Sequence, residues 1–434
     1  MTDELPKSAG DPTPVLTTAE PAVVSASPVV PLACPYQQVK SLQQALSPDK
    51  MRVGFFLGAG CPSAINVPTG GVTEPLIPNI EGLTDIIRIK FEACAKYKDH
   101  FKKILRQLGD SPTNKKIVEH ILTQVRGILE FVGTATFEDM NKGNLRELDK
   151  AICREIANVM RKRLSTKDTP YHQLAEWIVS IPRAHPVEIF TSNYDLLMEQ
   201  ALEECGVPYF DGFSGSDRTF FDVTSMEQQL SLPPRWARLW KMHGSINWWR
   251  TKDGDIQRRE KGGTDDSQMI HPSHLKYDES RKMPYLAMQD RLRSFLARGQ
   301  AVLVTCGYSF LDGHLNQAIL DGLSGNPSAV CFGLVFDDRA TASAAIKKVG
   351  YRGNLRLLGV DGGVQGTVDR DWHSKENRDD PLHGIAVVSG TLGQRTTAPD
   401  DRCKFLLGDF KSFGVFLADQ LASRDSNEED RIAT

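Results

Sequence analysis

Short apolar runs that stop at glycine or polar turns recur along the chain, with amphipathic stretches between them. Residues 52–57, RVGFFL, form one such run and end at Gly58-Ala59-Gly60. An apolar run of that length before a tight turn predicts a buried strand. Residues 187–191, 301–306, 330–336 and 355–358 predict further strands, and 239–242 leads into His243-Gly244. Helical periodicity covers 83–108, 117–132 and 148–164; in the second stretch Val118, Ile121, Leu122, Val125, Ile128 and Leu129 share one face. Shorter helices are predicted over 196–205, 315–323 and 340–348. The order strand, polar turn, amphipathic helix predicts an α/β fold. Its core is a Rossmann-like parallel sheet flanked by helices, with a helical insertion at about 83–165 after the first strand.

The remaining segments set the domain limits. Residues 1–35 are rich in Pro, Ala, Ser, Thr and Val, and read as a flexible tail or an arm that orders on a partner subunit. Pro62, Pro68, Pro75 and Pro78 break any helix in 62–80, which reads as a long loop. A loop-rich insertion is expected at about 207–290. The main domain then spans 36–358, followed by a loop-like stretch from 359 to 404. Phe405, Phe410, Phe413 and Phe416 form one apolar face of a helix that ends a C-terminal segment at about 423, and 424–434 reads as a solvated tail.

Composition narrows the class. The 434 residues are 40% hydrophobic and 25% charged, with a formal net charge of -3. That balance is globular and demands neither nucleic acid nor a membrane surface, although a local basic patch stays open. Cys34, Cys61, Cys94, Cys153, Cys205, Cys306, Cys331 and Cys403 are scattered and form no C-x-x-C pair. A zinc ribbon is therefore not expected, nor any other metal site, and unpaired cysteines suit a reducing cytosol. No run is long and apolar enough for a membrane span, and no signal-peptide pattern is visible at the N-terminus, so a cytoplasmic protein is expected. A nuclease would need clustered carboxylates for metals, whereas Asp265-Asp266 and Asp379-Asp380 read as solvated loop charges.

Four segments carry candidate chemistry. In FFLGAGCPSAINVP, a strand running into Gly58-Ala59-Gly60-Cys61 lets backbone approach a pyrophosphate, though such glycines also serve plain tight turns. In FTSNYDLLMEQAL, Ser192, Asn193 and Asp195 sit at the carboxyl end of a strand, where ligands bind in such sheets; each also reads as a helix cap. In LWKMHGSINWW, His243 can enter a crevice or pack on Trp248 and Trp249. In VLVTCGYSFLDGHLNQAI, Gly307 and Ser309 can meet phosphate or ribose, while Asp312 and His314 read as helix-start residues.

Each segment has a bland alternative, yet all four close predicted parallel strands. Their order, GAG then TSNYD then HG then GYSF, resembles the Sir2 family, and in particular its bacterial defence branch, over roughly residues 50 to 340. The resemblance implies that Gly58, Ala59, Gly60 and Cys61 cradle the phosphates of NAD⁺. It implies that Asn193 holds the nicotinamide ribose and the attacking water, with Ser192 beside it, and that Asp195 helps bind the nicotinamide. His243 takes the place of the catalytic histidine, and Gly307 and Ser309 that of the phosphate and adenosine-ribose turn. NAD⁺ is then a substrate.

Departures from the deacylases of that family shift the expected acceptor. Their paired zinc cysteines are missing. Their Gly-Ile-Pro-Asp-Phe-Arg stretch is replaced by Asn66-Val67-Pro68-Thr69-Gly70, and the interval from Asn193 to His243 is longer. An NAD⁺ hydrolase acting in antiviral defence by NAD⁺ depletion is expected. Size and the Phe-rich C-terminal segment resemble the subunit paired with a HerA-type DNA-translocating ATPase, which implies that partner and a homo-oligomer. The alternatives are a deacylase or ADP-ribosyltransferase, and a non-enzymatic NAD⁺ or ADP-ribose sensor.

Overall fold

The structure, a computed structural model, describes residues 32–47, 51–109, 117–227, 232–263, 266–270, 284–338, 340, 343–344, 347, 352–373, 379–389 and 402–432. The N-terminal tail up to residue 31, much of the helix expected over 340–348 and residues 433–434 lie outside them.

Ten strands form the main sheet among these residues. They are β1 (Leu32–Ala33), β2 (Arg52–Leu57), β3 (Val187–Thr191), β4 (Tyr209–Phe210), β5 (Ala237–Lys241), β6 (Ala301–Cys306), β7 (Ala329–Leu334), β8 (Leu355–Leu358), β9 (Gly362–Gln365) and β10 (Val368–Trp372). Their spatial order is β1-β10-β9-β8-β7-β6-β2-β3-β5-β4. All pairings from β8 through β4 are parallel, while β9 runs antiparallel to both neighbours. The chain is a mixed α/β fold with a large, mainly parallel sheet flanked by helices.

Side chains alternate across this sheet because successive Cβ atoms point to opposite faces. Phe55 and Leu57 enter one core with Val302 and Val304; Phe56 enters the other with Ala301 and Leu303. The first core takes Val39 and Leu42 from helix Pro35–Leu46, Trp177 from helix Pro170–Ser180, and Phe413 from helix Phe410–Ile432. The second takes Leu292 and Phe295 from helix Tyr285–Ala297, and Leu315 and Ile319 from helix Gly313–Ser324. Both faces are covered, so the central strands read as continuous apolar runs rather than alternating ones. Among the described residues, no helix is long and apolar enough to cross a membrane.

The insertion after β2 is helical. It holds Ile80–Ala93, Lys98–Gln107, Val118–Phe131 and Lys142–Met160, which meet through Leu83, Ile87, Phe101, Ile121, Leu122, Leu145 and Leu148. Local chemistry sets their starts. The Asn79 side chain accepts from Gly82 N, and Asn141 and Asn144 form a reciprocal capping box. The single helix expected over 83–108 is two, divided at Cys94–Tyr97.

Four further sequence expectations need correction. Residues 62–80 are not one loop: Asn66–Thr69 and Val72–Pro75 pair as a hairpin, turned by Gly70 and Gly71 at φ +59° and +87°. Pro68 and Pro75 are tolerated because a two-stranded ribbon has free outer edges. Residues 359–404 are not one loop either: they supply β9 and β10, the strand Val387–Ser389 and part of the strand Cys403–Phe405. Phe405 therefore belongs to a strand, and the final helix starts at Phe410 and runs through the expected tail to Ile432. Asp266 and Asp380 are not solvated charges: Asp266 pairs with Arg259, and Asp380 with Lys40 at 2.8 Å.

Candidate active site

Register places the site. Cys306 of β6 is partnered with Leu57 of β2, Leu57 with Thr191 of β3, and Thr191 with Lys241 of β5. Four adjacent parallel strands thus end on one row. The residues that follow are Gly307, Gly58, Ser192 and Met242, so the four segments singled out by sequence emerge side by side at one sheet edge.

The two glycine turns interlock. Gly58 N donates to Cys306 O over 2.9 Å, Gly60 N to Gly307 O over 2.9 Å, and Cys61 N to Gly58 O over 3.0 Å. A Cβ on Gly58 would lie 2.3 Å from Gly307 O, and one on Gly307 2.5 Å from Cys61 N. Gly307 also sits at φ +62°, where side chains are strained. The glycines therefore permit contact between two loops, and the amides of Gly58, Gly60 and Cys61 are already taken up within the protein. Ala59 and Gly60 are exposed at the rim. Cys61 is buried, and its Sγ donates to Cys306 O over 3.2 Å. Burial raises its pKa well above that of a free thiol.

Asn193 bridges the next pair of strands. Its Nδ2 donates to Gly58 O over 3.0 Å, its own N–H is held by Thr191 Oγ1, and it is buried. Its Oδ1 has no hydrogen-bond partner among the described residues and stays available as an acceptor. Ser192 is half-buried. Asp195 is buried, with Oδ1 accepting from Leu197 N at the start of helix Leu197–Glu204. Burial raises its pKa, and the nearby Lys241 ammonium opposes that rise. Lys241 itself is buried; its Nζ donates to the Asp195 carbonyl and lies 2.9 Å from Glu199 Oε1.

His243 follows β5, with Gly244 next to it at φ +90°. A Cβ on Gly244 would meet Met269 O at 2.1 Å, so this turn too requires glycine. His243 Nε2 lies 3.0 Å from Asp312 Oδ2, with side-chain exposures of 14% and 9%. The Tyr194 ring centroid is 6.5 Å from that of His243. Tyr194 O accepts from Ile246 N over 3.0 Å and so ties the Asn193 loop to the His243 segment. Ser309 is exposed on the fourth loop, with no hydrogen-bond partner among the described residues.

Asp312 is the residue that sequence reasoning passed over as a helix start. It does cap helix Gly313–Ser324, through Oδ1, and its Oδ2 lies beside His243. Tyr194 was also missed; burial holds its hydroxyl pKa well up, and the charges of Glu119 and Arg126 on the inserted helix reach it. Nothing in the local pattern pairs position 312 with 243, since that contact depends on strand order. Among the described residues, no three His, Cys, Asp or Glu side chains gather as metal ligands.

Residues 187–349 match the model of the SIR2-like domain. That span carries Asn193, His243, Gly307, Ser309 and Asp312; the Gly58–Cys61 loop lies upstream of it. Solved structures similar to the chain include a Sir2 homologue in complex with NAD, at 13% identity over 70% of this chain and 85% of that one, with a TM-score of 0.37. A variant Sir2 homologue bound to ADP-ribose is 12% identical over 70% and 86%, with a TM-score of 0.33. No curated protein sequence matches the chain.

Proposed function

We propose that the SIR2-like domain, completed by the Gly58–Cys61 loop, hydrolyses NAD⁺ to nicotinamide and ADP-ribose. The observation that carries this reading is the shared register row, which sets Asn193 and His243 on neighbouring strand ends beside the interlocked glycine turns. Ala59, Gly60, Gly307 and Ser309 would border the phosphates and adenosine ribose, with Cys61 buried behind them. Asn193 Oδ1 would accept from a ribose hydroxyl or water. Ser192 and Asp195 would lie toward the nicotinamide, Asp195 mainly by shaping the loop.

In the reaction the bond from ribose C1′ to the nicotinamide nitrogen breaks, and its electron pair leaves with nicotinamide. Water bonds to C1′, and its proton passes to His243 and on to solvent. Oriented polar groups stabilise the oxocarbenium-like state, and a histidine exchanges protons near neutral pH.

An enzyme of this kind that empties a cell of NAD⁺ needs a gate. Antiviral defence, a homo-oligomeric assembly in the cytoplasm and gating by a HerA-type ATPase complete the proposal on the strength of the sequence resemblance. The test follows nicotinamide release from NAD⁺ by chromatography, with and without such an ATPase, for the wild type and for His243→Ala and Asn193→Ala. Release that both substitutions abolish is expected. No release by the wild type under any activation ends the hydrolase reading, and release only with an acyl-lysine peptide replaces it with deacylation.

A further inference from the structure

We propose that Asp312 is a positioning residue for His243: it keeps the proton of the neutral imidazole on Nε2 and leaves Nδ1 as the basic nitrogen. The chemical use of that nitrogen rests on the NAD⁺-cleaving reading; the geometry does not.

The two carboxylate oxygens of Asp312 face different groups. Asp312 Oδ1 accepts from His314 N over 3.0 Å and Leu315 N over 3.3 Å, as an N-cap does. Capping needs only one oxygen. Oδ2 stands 3.0 Å from His243 Nε2. An ionised carboxylate only accepts and repels a facing lone pair, so the charge of Asp312 favours hydrogen on the near ring nitrogen, and in a neutral imidazole the other nitrogen then holds the lone pair. Among the described residues His243 makes no hydrogen bond that competes with this ion-pair contact. With both side chains mostly shielded, water competes weakly for this contact.

The position of Asp312 is itself determined by its surroundings. Asn316 Nδ2 donates to Phe310 O over 2.6 Å, and Tyr308 OH donates to Asn316 Oδ1 over 2.8 Å. Tyr308 OH also lies 3.3 Å from Asp312 O. Phe310, buried against Tyr308, holds φ +55°, a strained conformation for a residue with a side chain. Such strain persists where the surroundings over-determine the backbone, and it concentrates at functional sites. Here it carries the chain from the exposed Ser309 to an aspartate aimed back at β5. A bare cap needs none of this.

During hydrolysis Nδ1 takes the proton released as water bonds to C1′. The resulting imidazolium keeps its Nε2 proton toward the Asp312 carboxylate, which stabilises the positive ring, and Nδ1 then loses its proton to solvent.

Asp312→Asn tests this without removing the cap, because asparagine caps helices as well as aspartate does. Its carboxamide can donate to Nε2, which moves the ring proton to Nδ1. In protein labelled with ¹⁵N-histidine, the His243 nitrogen shifts read the tautomer directly, with His243→Gln assigning the signals. The expected result is Nε2–H in the wild type and Nδ1–H in Asp312→Asn. The kcat for nicotinamide release should fall on the order of 100-fold, within the range for loss of a general base, with KM little changed. The same tautomer in both proteins, or a wild-type kcat in Asp312→Asn, overturns the proposal. A swapped tautomer in a protein whose wild type never releases nicotinamide supports the positioning role and removes the NAD⁺ reading instead.

Discussion

Asn193 Nδ2 donates to the carbonyl of Gly58 over 3.0 Å, across two strand ends that the sequence separates by 135 positions. That bond makes one unit of the two loops and turns the free Oδ1 outward from the pair. Asn193→Asp is therefore expected to be worse than a simple loss of donor, because a carboxylate would face the Gly58 carbonyl. A net hydrogen bond contributes about 0.5–1.5 kcal/mol, whereas a buried unpaired acceptor costs ~1–3 kcal/mol. Thermal unfolding should rank the wild type above Asn193→Ala and Asn193→Ala above Asn193→Asp. Equal midpoints for all three would remove the bond from the account.

Gly58→Ala adds a carbon where Gly307 O already stands. Overpacking of this kind costs ~1–3 kcal/mol. The expected outcome is a lowered unfolding midpoint together with loss of ADP-ribose binding by calorimetry, since both loops border the proposed site. Unchanged binding in a folded variant would detach the loop contact from ligand recognition.

Lys241→Met removes the cation that opposes the burial-raised pKa values of Asp195 and Glu199. Breaking a buried pair costs about 3–5 kcal/mol. The sign of its pH dependence follows from the direction of the shifts. A carboxyl whose folded pKa is raised binds its proton more tightly when folded, so stability falls as pH climbs from the unfolded toward the folded pKa. Without Lys241 that window widens upward. Urea unfolding should show the deficit shrinking as pH is lowered from neutral toward the ordinary carboxylate range. A deficit independent of pH would mean that packing, not charge, was lost.

Thiol reactivity should divide the cysteines by burial. Cys34, Cys94 and Cys205 are partly exposed, whereas Cys61, Cys153, Cys306, Cys331 and Cys403 are buried. Burial pushes Cys153 and Cys331 up to about 12, and raises Cys205 as well. Since the thiolate is the nucleophile, native protein treated with iodoacetamide should label first at Cys34 and Cys94, then at Cys205. Early labelling of Cys61, read by peptide mass spectrometry, would contradict the closed packing of the glycine turns.

Phe413 is fully buried, 6.2 Å from the Phe55 ring on β2, and its helix packs on Pro170–Ser180 through a tight approach at Gly414. Phe413→Ala should lower stability by ~3–5 kcal/mol. A change under 1 kcal/mol in denaturant unfolding would show that the last helix is a detachable appendage.

The strands that build the site were legible because burial on both faces leaves unbroken apolar runs, as in 301–306. The turns were legible because close backbone approach demands Gly58, Gly60 and Gly307. The hairpin 66–75 was hidden by its prolines, which argue against strands in general but not against an isolated ribbon. The strands β9 and β10 were hidden by glycines and charges, which break the unbroken apolar pattern of the central strands. Asp312 was visible only as a cap, because its second oxygen is used by a residue 69 positions upstream. Asp380 looked like a surface charge because its partner, Lys40, lies 340 positions away.

The row of strand ends also has a temporal meaning. β2 sits at the centre of the sheet, yet its two neighbours are made about 130 and 245 residues later. Pairings so distant in the chain form late and slowly. During synthesis the first glycine turn waits without β3, and the histidine waits without the aspartate beyond β6. A ribosome-bound or truncated chain that ends before β6 therefore has the first glycine turn, the asparagine and the histidine, but neither Gly307 nor Asp312. The four segments of the proposed site are thus complete only when nearly three quarters of the chain has been made.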